Sequence, residues 1–206
     1  MMKKLPILIL GGGSHAHSCI DVIEQCGNYD IKGIIDANKN LGQSVLGYPI
    51  IGTDKDLQML RTQFDHAFIA VGQIRSADLR VSLFEILRKL DFNIPSIVSP
   101  LSYVSPHSKI GDGTIIMHGA IINANVSIGE NSIINSNALV EHDAYVGDNC
   151  HISTSSVLNG GVKIQSKTFI GSGSVVIEGI CVGEACMIGA SILVRHNLGD
   201  GAKYLG

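Results

Sequence analysis

The sequence predicts an α/β amino-terminal domain followed by an all-β parallel β-helix. Every sixth residue from Val98 to Val194 is aliphatic without a miss, and hexapeptide periods are typical of solenoids. Before this stretch, short apolar runs alternate with segments of helical spacing, which is typical of a small parallel sheet. We therefore place the first domain at residues 1–97 and the β-helix at residues 98–206.

The elements of the first domain follow from its apolar runs and their spacing. Leu5 to Leu10 is a short apolar run of the buried-strand type, and the segment from Ser14 to Cys26 has helical spacing. On the same reasoning we predict strands at 5–10, 31–35, 48–51, 67–71 and 94–98 and helices at 14–26, 54–62 and 76–90. Thr53 or Asp54 is the expected N-cap of the second helix.

The six-residue repeat fits neither an α-helix nor a free strand, and it predicts a short strand plus a turn in each unit. If three units close one coil, residues 18 apart stack at about 4.8 Å, giving about five coils. A glycine often follows the aliphatic position, and we expect it to ease the turning of the chain.

The outward positions of the coils sort by 18 into three faces. Two faces are apolar and one is polar, which predicts burial of the apolar faces against neighbouring subunits in a closed ring. The first apolar face carries Ile121, Leu139, Val157, Val175 and Leu193, the second carries Ile115, Ile133, His151, Phe169 and Met187, and the polar face carries Lys109, Ser127, Tyr145, Lys163 and Cys181. As the one ionisable residue on its apolar face, His151 is expected at or beside a subunit boundary.

Composition narrows the class of protein. The net charge of -3 over 206 residues gives no reason to expect nucleic acid or a membrane surface as partner. The five cysteines are odd in number and lack C-x-x-C spacing, which favours reduced thiols in a cytoplasm. The apolar run at Leu5 is too short for a signal peptide, and no stretch is long enough to span a bilayer.

A glycine-rich turn links the first strand to the first helix. Residues 11–16 read G-G-G-S-H-A, and Asp36 ends the second strand, which together satisfy a dinucleotide fingerprint of moderate specificity. Glycine there lets the backbone approach an anionic group at a helix N-terminus, so any nucleotide diphosphate would serve. The alternative is a tight turn without a ligand.

Within the repeat, His142 and Asp143 form a candidate catalytic pair at a turn. His151 follows nine residues later, and Gly160 lies 18 residues after His142, one coil above it. Acyl transfer from a thioester needs a base for the attacking group and a donor for the oxyanion. A solvated corner pair is the alternative interpretation of these two residues.

The repeat, the glycine turn and the His-Asp pair together resemble the hexapeptide-repeat sugar acetyltransferases of the sialic-acid O-acetyltransferase and bacillosamine N-acetyltransferase type. The resemblance implies a left-handed β-helix, a homotrimer, acetyl-CoA as co-substrate, a nucleotide sugar as acceptor and no metal. It also implies roles for individual residues: His142 as general base, Asp143 as its orienting acid, His151 near the thioester, the Gly160 amide as oxyanion donor, and Gly11, Gly13, Ser14, His15 and Asp36 as contacts to the nucleotide sugar.

The sequence departs from that family in three places. Ser14 stands where the family often has glycine, and Asp143 stands where close relatives carry glutamate. The chain also ends before the family's Gly-x-Pro-Ala tail, so we expect weaker binding of acetyl-CoA.

The predicted function is N-acetylation of a nucleotide-linked, UDP-type amino-sugar. O-acetylation of a sialic-acid-like sugar is the closest alternative, and the sequence does not separate the two. A nicotinamide-dependent oxidoreductase would leave the solenoid unexplained, and a non-catalytic scaffold would leave His142, His151 and Gly160 to coincidence. A carbonic-anhydrase-like metal site could use His118, but His118 is 24 residues from His142 and falls on another face.

Overall fold

A computed structural model describes residues 4–37 and 41–205 and confirms the predicted fold class. The chain separates into two compact units. One unit comprises Met1–Gly72 with Asp78–Ile97, and the other comprises Val98–Gly206 with the short segment Gln73–Ala77. None of the helices in the described parts is long and apolar enough to cross a bilayer.

The first unit is a small sheet with helices between its strands. Its strands are β1 (Leu5–Leu10), β2 (Tyr29–Ile35), β3 (Ser44–Val45), β4 (Tyr48–Gly52) and β5 (His66–Ile69), and its helices are α1 (Ser14–Cys26), α2 (Leu57–Leu60) and α3 (Asp78–Lys89). The sheet order is β3-β4-β2-β1-β5, and its strands run parallel except for the β3-β4 hairpin. Parallel order brings the carboxyl ends of β1 and β2, and thus the glycine turn and Asp36, to one edge of the sheet.

Three local details of this part of the chain differ from the sequence prediction. The strand predicted over 94–98 is limited to Ile97–Val98, and it pairs within the β-helix. The segment predicted as a helix over 54–62 is a 3-10 turn, Asp54–Asp56, followed by the single α-helical turn α2. Asp56 accepts hydrogen bonds from both the backbone and the hydroxyl of Thr53, a capping box that favours this tight start. Strand β3 was missed because its hairpin turn places Leu46 at φ 49°, and a leucine gives no turn signal.

The second unit is a prism with three faces built from two-residue strands. The His151 face contains Ile97–Val98, Ile115–Ile116, Ile133–Ile134, His151–Ile152, Phe169–Ile170, Met187–Ile188 and Lys203–Tyr204. The Leu139 face contains Tyr103–Val104, Ile121–Ile122, Leu139–Val140, Val157–Leu158, Val175–Val176 and Leu193–Val194. The Tyr145 face contains Lys109–Ile110, Ser127–Ile128, Tyr145–Val146, Lys163–Ile164 and Cys181–Val182. The strands from Ile97 to Val194 pair at a spacing of 18 residues, such as Leu139 with Val157, whereas the last strand, Lys203–Tyr204, pairs with Met187–Ile188 at a spacing of 16.

The interior of the prism holds the aliphatic column and a second set of small residues. From Ile116 to Val194 the column is buried, and most of its members have no exposed surface. The small residues two positions earlier are buried too, and their hydroxyls link successive coils. Thr114, for example, donates to the carbonyl of Gly129 and accepts from the amide of Ser132. These bonds satisfy backbone groups at the corners, where no strand pairing can.

Between Gly111 and Ile192 the corners are four-residue turns whose third residue has a left-handed backbone. Asn125, Asn137 and Asp143 have φ values of 60°, 57° and 62° at this position. Asparagine and aspartate tolerate this region better than other residues with a β-carbon. Glycines directly after the column serve a different purpose from the one we expected: a β-carbon on Gly111 would meet the carbonyl carbon of Gly129 at 2.6 Å. They permit close approach of successive coils.

Candidate active site

The predicted catalytic pair lies at a corner between the Leu139 and Tyr145 faces. Glu141, His142, Asp143 and Ala144 form the turn, closed by a 3.3 Å hydrogen bond from the Ala144 amide to the Glu141 carbonyl. As the second and third residues of the turn, His142 and Asp143 project outward, with 66% and 56% of their side chains exposed. The imidazole is therefore accessible to a substrate.

His142 and Asp143 are joined by a direct hydrogen bond. The distance between His142 Nδ1 and Asp143 Oδ2 is 2.8 Å. In the neutral ring this places the proton on Nδ1, facing the carboxylate, and leaves the lone pair on Nε2. The pair therefore has the arrangement of a general base with an orienting acid.

Electrostatics at this corner favour a basic imidazole beside an ionised carboxylate. The hydrogen bond to Asp143 is the largest cause that raises the pKa of His142. Desolvation lowers this pKa, and the negative charges of Asp143 and Glu141 raise it further. The pKa of Asp143 is lowered, first by a hydrogen bond from Asn125 and then by His142. At neutral pH the acid is thus charged and the histidine can exchange a proton.

Gly160 lies one coil above His142, as the 18-residue spacing predicts. The Gly161 amide donates to the His142 carbonyl at 3.0 Å, which ties the two turns together. A β-carbon on Gly160 would lie 3.0 Å from Nε2 and 2.9 Å from Cε1 of His142. The backbone of Gly160 therefore lies over the ring edge that carries the lone pair.

The amide of Gly160 is placed as a possible hydrogen-bond donor to a ligand. Gly160 is the second residue of the turn from Asn159 to Val162, which is closed by a 3.3 Å bond between the ends of the turn. An amide at this position points out of the turn, and within the described ranges none of the residues accepts its hydrogen bond. A donor beside a base is what an oxyanion at an acyl carbon requires.

His151 is held differently from His142. It is 6% exposed, its Nδ1 faces the carbonyl of Gln73, and its Nε2 lies 3.1 Å from the amide nitrogen of Asn135. These partners fit a neutral ring that donates from Nδ1 and accepts at Nε2. Its ring also meets Phe169 edge-on, at 5.2 Å between centroids. The structure thus gives His151 a fixed tautomer and a fixed orientation.

Gln73, in the segment Gln73–Ala77, contacts His151 from within the same chain. Gln73 is 3% exposed, and its side-chain amide donates to the carbonyl of Asn149 at 2.9 Å. Gln73 therefore contacts His151 from within the chain, and the expected position of His151 at or beside a subunit boundary stays a prediction. The β-helix pattern gave no sign of this segment because it comes from the loop after β5.

The glycine turn in the first unit has the geometry of a ligand-binding loop. Gly11 has a φ of 97°, and a β-carbon there would meet Val71 Cγ2 at 2.6 Å, so the position requires glycine. The amide of Gly12 donates to Asp36 Oδ2 at 2.6 Å. Gly13 is the N-cap of α1, and a side chain there would meet open space.

A small pocket of about 100 Å³ opens beside this turn. Its lining consists of Gly11, Ile35, Asp36, Ala37, Asp54, Val71, Leu79 and Leu83. Of the predicted nucleotide contacts, Gly11 and Asp36 line it, whereas Ser14 and His15 are the first two residues of α1. Asp54 was not predicted, and burial followed by repulsion from Asp36 raises its pKa. A pocket with two carboxylates suits ribose hydroxyls, which donate hydrogen bonds.

His118, which was considered as a metal ligand, has a hydrogen-bond partner. His118 Nδ1 lies 2.6 Å from the hydroxyl of Ser99. Over residues 4–37 and 41–205 there is no group of three or more His, Cys, Asp or Glu residues with the geometry to hold a metal ion.

Comparisons with known proteins agree with this architecture. The family model of the PglD N-terminal domain matches residues 6–87, and that of the bacterial transferase hexapeptide (six repeats) matches residues 107–142 and 125–160. A comparison with curated proteins gave no significant match.

Three solved structures are similar over nearly the whole chain. PerB from Caulobacter crescentus, in complex with CoA and GDP-perosamine, is 35% identical, with a TM-score of 0.91 over 98% of this chain and 94% of that chain. A histidine-to-asparagine mutant of perosamine N-acetyltransferase from Caulobacter crescentus, with the same ligands, is 34% identical, with a TM-score of 0.91 over 98% and 93% of the two chains. The acetyltransferase domain of PglB from Neisseria gonorrhoeae, in complex with acetyl coenzyme A, is 27% identical, with a TM-score of 0.89 over 98% and 96%.

The fold and the His142 corner define a hexapeptide-repeat acyltransferase with an α/β amino-terminal domain. The chain belongs to the sugar acetyltransferases of the sialic-acid O-acetyltransferase and bacillosamine N-acetyltransferase family.

Sequence reasoning missed several residues around the candidate site. Asn125, Glu141 and Gln73 each contact or flank a predicted site residue. The 18-residue spacing could have found Asn125, which precedes Asp143 by one coil. No periodicity could have found Gln73, because it lies outside the repeat.

Proposed function

We propose that this enzyme transfers an acetyl group from acetyl-CoA to the amine of a nucleotide-linked amino-sugar, with His142 as general base. The observation that carries the proposal is the His142–Asp143 pair beneath the backbone of Gly160. Two of the similar structures named above contain CoA and GDP-perosamine, and one of them is of a perosamine N-acetyltransferase, which supports an amine acceptor.

The proposed reaction is direct attack without an acyl-enzyme. The amine nitrogen attacks the thioester carbonyl carbon while Nε2 of His142 takes a proton from the amine. The amide of Gly160 stabilises the oxyanion, and the C–S bond then breaks. The departing thiolate takes the proton back from the imidazolium, which restores the base and yields the amide product and CoA.

His151 has a separate role in this proposal, as a contact to the co-substrate near the thioester. Its burial and the partners of its ring nitrogens hold it in one orientation. It is therefore suited to fix the position of a ligand group.

The glycine turn is the proposed site for the nucleotide part of the acceptor. Gly11, Gly13, Ser14 and His15 would surround the phosphates at the start of α1, and Asp36 would contact the ribose. We predicted a UDP-linked sugar from the sequence, whereas the relatives in complex carry GDP-perosamine. Both nucleotides therefore belong in the test.

We propose that the enzyme is a homotrimer, with its active site shared between subunits. The Leu139 face is apolar along its length and is open in the single chain, with Tyr103, Ile121 and Leu193 exposed by 55%, 41% and 40%. An apolar face of this extent is typical of a surface that another subunit covers. All five cysteines are free, which suits the reducing cytoplasm that we propose as its location.

The test is thiol release from acetyl-CoA across a panel of UDP- and GDP-linked amino-sugars and free sialic acids. We expect release with a nucleotide amino-sugar and a loss of about 10²-fold or more in kcat for His142→Ala. His107→Ala removes another exposed histidine of the β-helix and is expected to retain activity. Thiol release with sialic acids alone would indicate O-acetylation as the reaction. Full activity of His142→Ala would exclude His142 as the general base.

A further inference from the structure

The acid beside the proposed base is held from the coil below. Asn125 donates from Nδ2 to Asp143 Oδ1 at 2.7 Å, while Asp143 Oδ2 lies 2.8 Å from His142 Nδ1. We propose that Asn125 is a positioning residue for the acetyl transfer, acting on His142 through Asp143. The inference rests on the proposed function of His142 as base.

The coil geometry explains why Asn125 reaches Asp143. The two residues are 18 apart and occupy the third position of successive turns, with φ values of 60° and 62°. The amide of Asp143 also donates to the carbonyl of Ala124 at 3.2 Å, which fixes the spacing of the two turns. Equivalent backbones send their side chains in the same direction, so the Asn125 amide lies directly under the Asp143 carboxylate.

The two carboxylate oxygens of Asp143 have different partners: Oδ1 accepts from Asn125, and Oδ2 faces His142. A carboxylate bonded only to the histidine could rotate about its terminal torsion, which is a soft one. The Asn125 amide fixes the second oxygen and so restricts that rotation. It also acts as a donor, and donors favour the ionised carboxylate that a basic imidazole requires.

A second pair at the same corner repeats the arrangement. Asn123 donates to Glu141 Oε2 at 2.8 Å, again across 18 residues. Both carboxylates that flank His142 therefore rest on an asparagine of the coil below. Elsewhere in the β-helix the same spacing stacks Asn131 on Asn149, where Nδ2 of Asn131 donates to the amide oxygen of Asn149 at 2.8 Å. Stacking of asparagines on successive coils thus does not require a carboxylate as the acceptor.

The test compares Asn125→Gly with Asn137→Gly. Glycine accepts the left-handed backbone at both positions, so neither change introduces backbone strain. For Asn125→Gly we expect kcat to fall about tenfold with little change in KM, because the orienting acid is lost only in part. The acidic limb of its kcat–pH profile should move to lower pH, because His142 becomes less basic. Asn137→Gly should change neither quantity.

Asn125→Asp provides a second variant of equal size. It replaces the donor with a charged acceptor facing Asp143, so we expect kcat to fall at least as far as in Asn125→Gly. Circular dichroism and Tm identify variants that fail to fold. A wild-type rate in Asn125→Asp would overturn the inference.

The outcomes separate this inference from the proposed function. If Asn125→Gly lowers Tm but keeps the wild-type kcat and acidic limb, while Asp143→Asn shifts the limb, Asn125 serves only the fold and the inference is overturned. If His142→Ala keeps its activity, the proposed base fails and the inference fails with it. A shifted limb in Asn125→Gly and Asp143→Asn, with an inactive His142→Ala, supports both.

Discussion

Gly160 and His142 lie so close that a side chain at position 160 would displace the imidazole of His142. A β-carbon there would approach Nε2 of His142 at 3.0 Å. The backbone of Gly160 does not have a positive φ, so conformational strain is not the reason for a glycine. The reason is space for the imidazole, together with access to the Gly160 amide.

Gly160→Ala is therefore expected to impair catalysis more than stability. The added methyl group would push the imidazole away from its place between Asp143 and the Gly160 amide. We expect kcat to fall by about 10² or more, since small misplacements of reacting groups cost that much. The measurement is kcat together with Tm.

Gly161→Ala is the matched control for this prediction. Its β-carbon would meet nothing within 4 Å, but its φ of 68° strains any residue other than glycine. We expect a loss of about 1 kcal/mol in the free energy of unfolding, with most of kcat retained. Equal losses of kcat in the two variants would contradict the steric explanation for Gly160.

The pH dependence of the reaction should report the hydrogen bond between His142 and Asp143. The base acts when Nε2 is unprotonated, so kcat rises as the pH increases through the pKa of His142. Asp143 raises that pKa, which places the acidic limb above the ordinary histidine value of about 6.5. In Asp143→Asn the charge is lost, the pKa of His142 falls, and the limb moves to lower pH. The plateau also falls, because a less basic imidazole is a weaker base.

Asp143→Glu tests whether the carboxylate itself is what matters. It keeps the charge and adds one methylene to the side chain. We expect its acidic limb to stay near that of the wild type, measured as kcat from about pH 5.5 to 8.5. An unchanged limb in Asp143→Asn would argue against His142 as the titrating base.

The repeat made the fold and the geometry of the His142 corner predictable from the sequence. A strict six-residue period fixes which residues share a face and a height, so Gly160 could be placed over His142 without coordinates. The surroundings of His151 could not be predicted in this way. They depend on Gln73, which lies 78 residues away in a loop whose path no periodicity defines.

The same limit applies to the first unit. Strand and helix alternation predicted its sheet, and the glycine turn predicted Gly11 and Asp36 beside a pocket. Asp54 lies in that pocket because β4 pairs with β2. A local sequence pattern does not predict the order in which strands pair. Tertiary contacts of this kind decide which polar residues join a site.

Gly11→Ala is expected to weaken binding of the nucleotide sugar. Its β-carbon would collide with Val71 at the pocket wall, and its φ of 97° is unfavourable for alanine. We expect KM for the nucleotide sugar to rise about tenfold or more, with kcat at saturation changed much less, because only binding contacts are disturbed. Gly27→Ala, at φ 71° in open space, is the control for backbone strain alone. An unchanged KM for Gly11→Ala would place the nucleotide elsewhere.

The Leu139 face should determine the oligomeric state. Val157 lies at the middle of this face, paired with Leu139 on one side and Val175 on the other. A carboxylate in Val157→Asp would have to be buried without a partner in an assembled trimer, which costs several kcal/mol. We expect the wild type to have the mass of a trimer by light scattering and Val157→Asp to dissociate.

If the active site is shared between subunits, kcat should fall together with the mass. Lys163→Glu changes an exposed charge on the Tyr145 face and should preserve both. A monomeric wild type would rule out the trimer, and an active monomer of Val157→Asp would place the whole site within one chain.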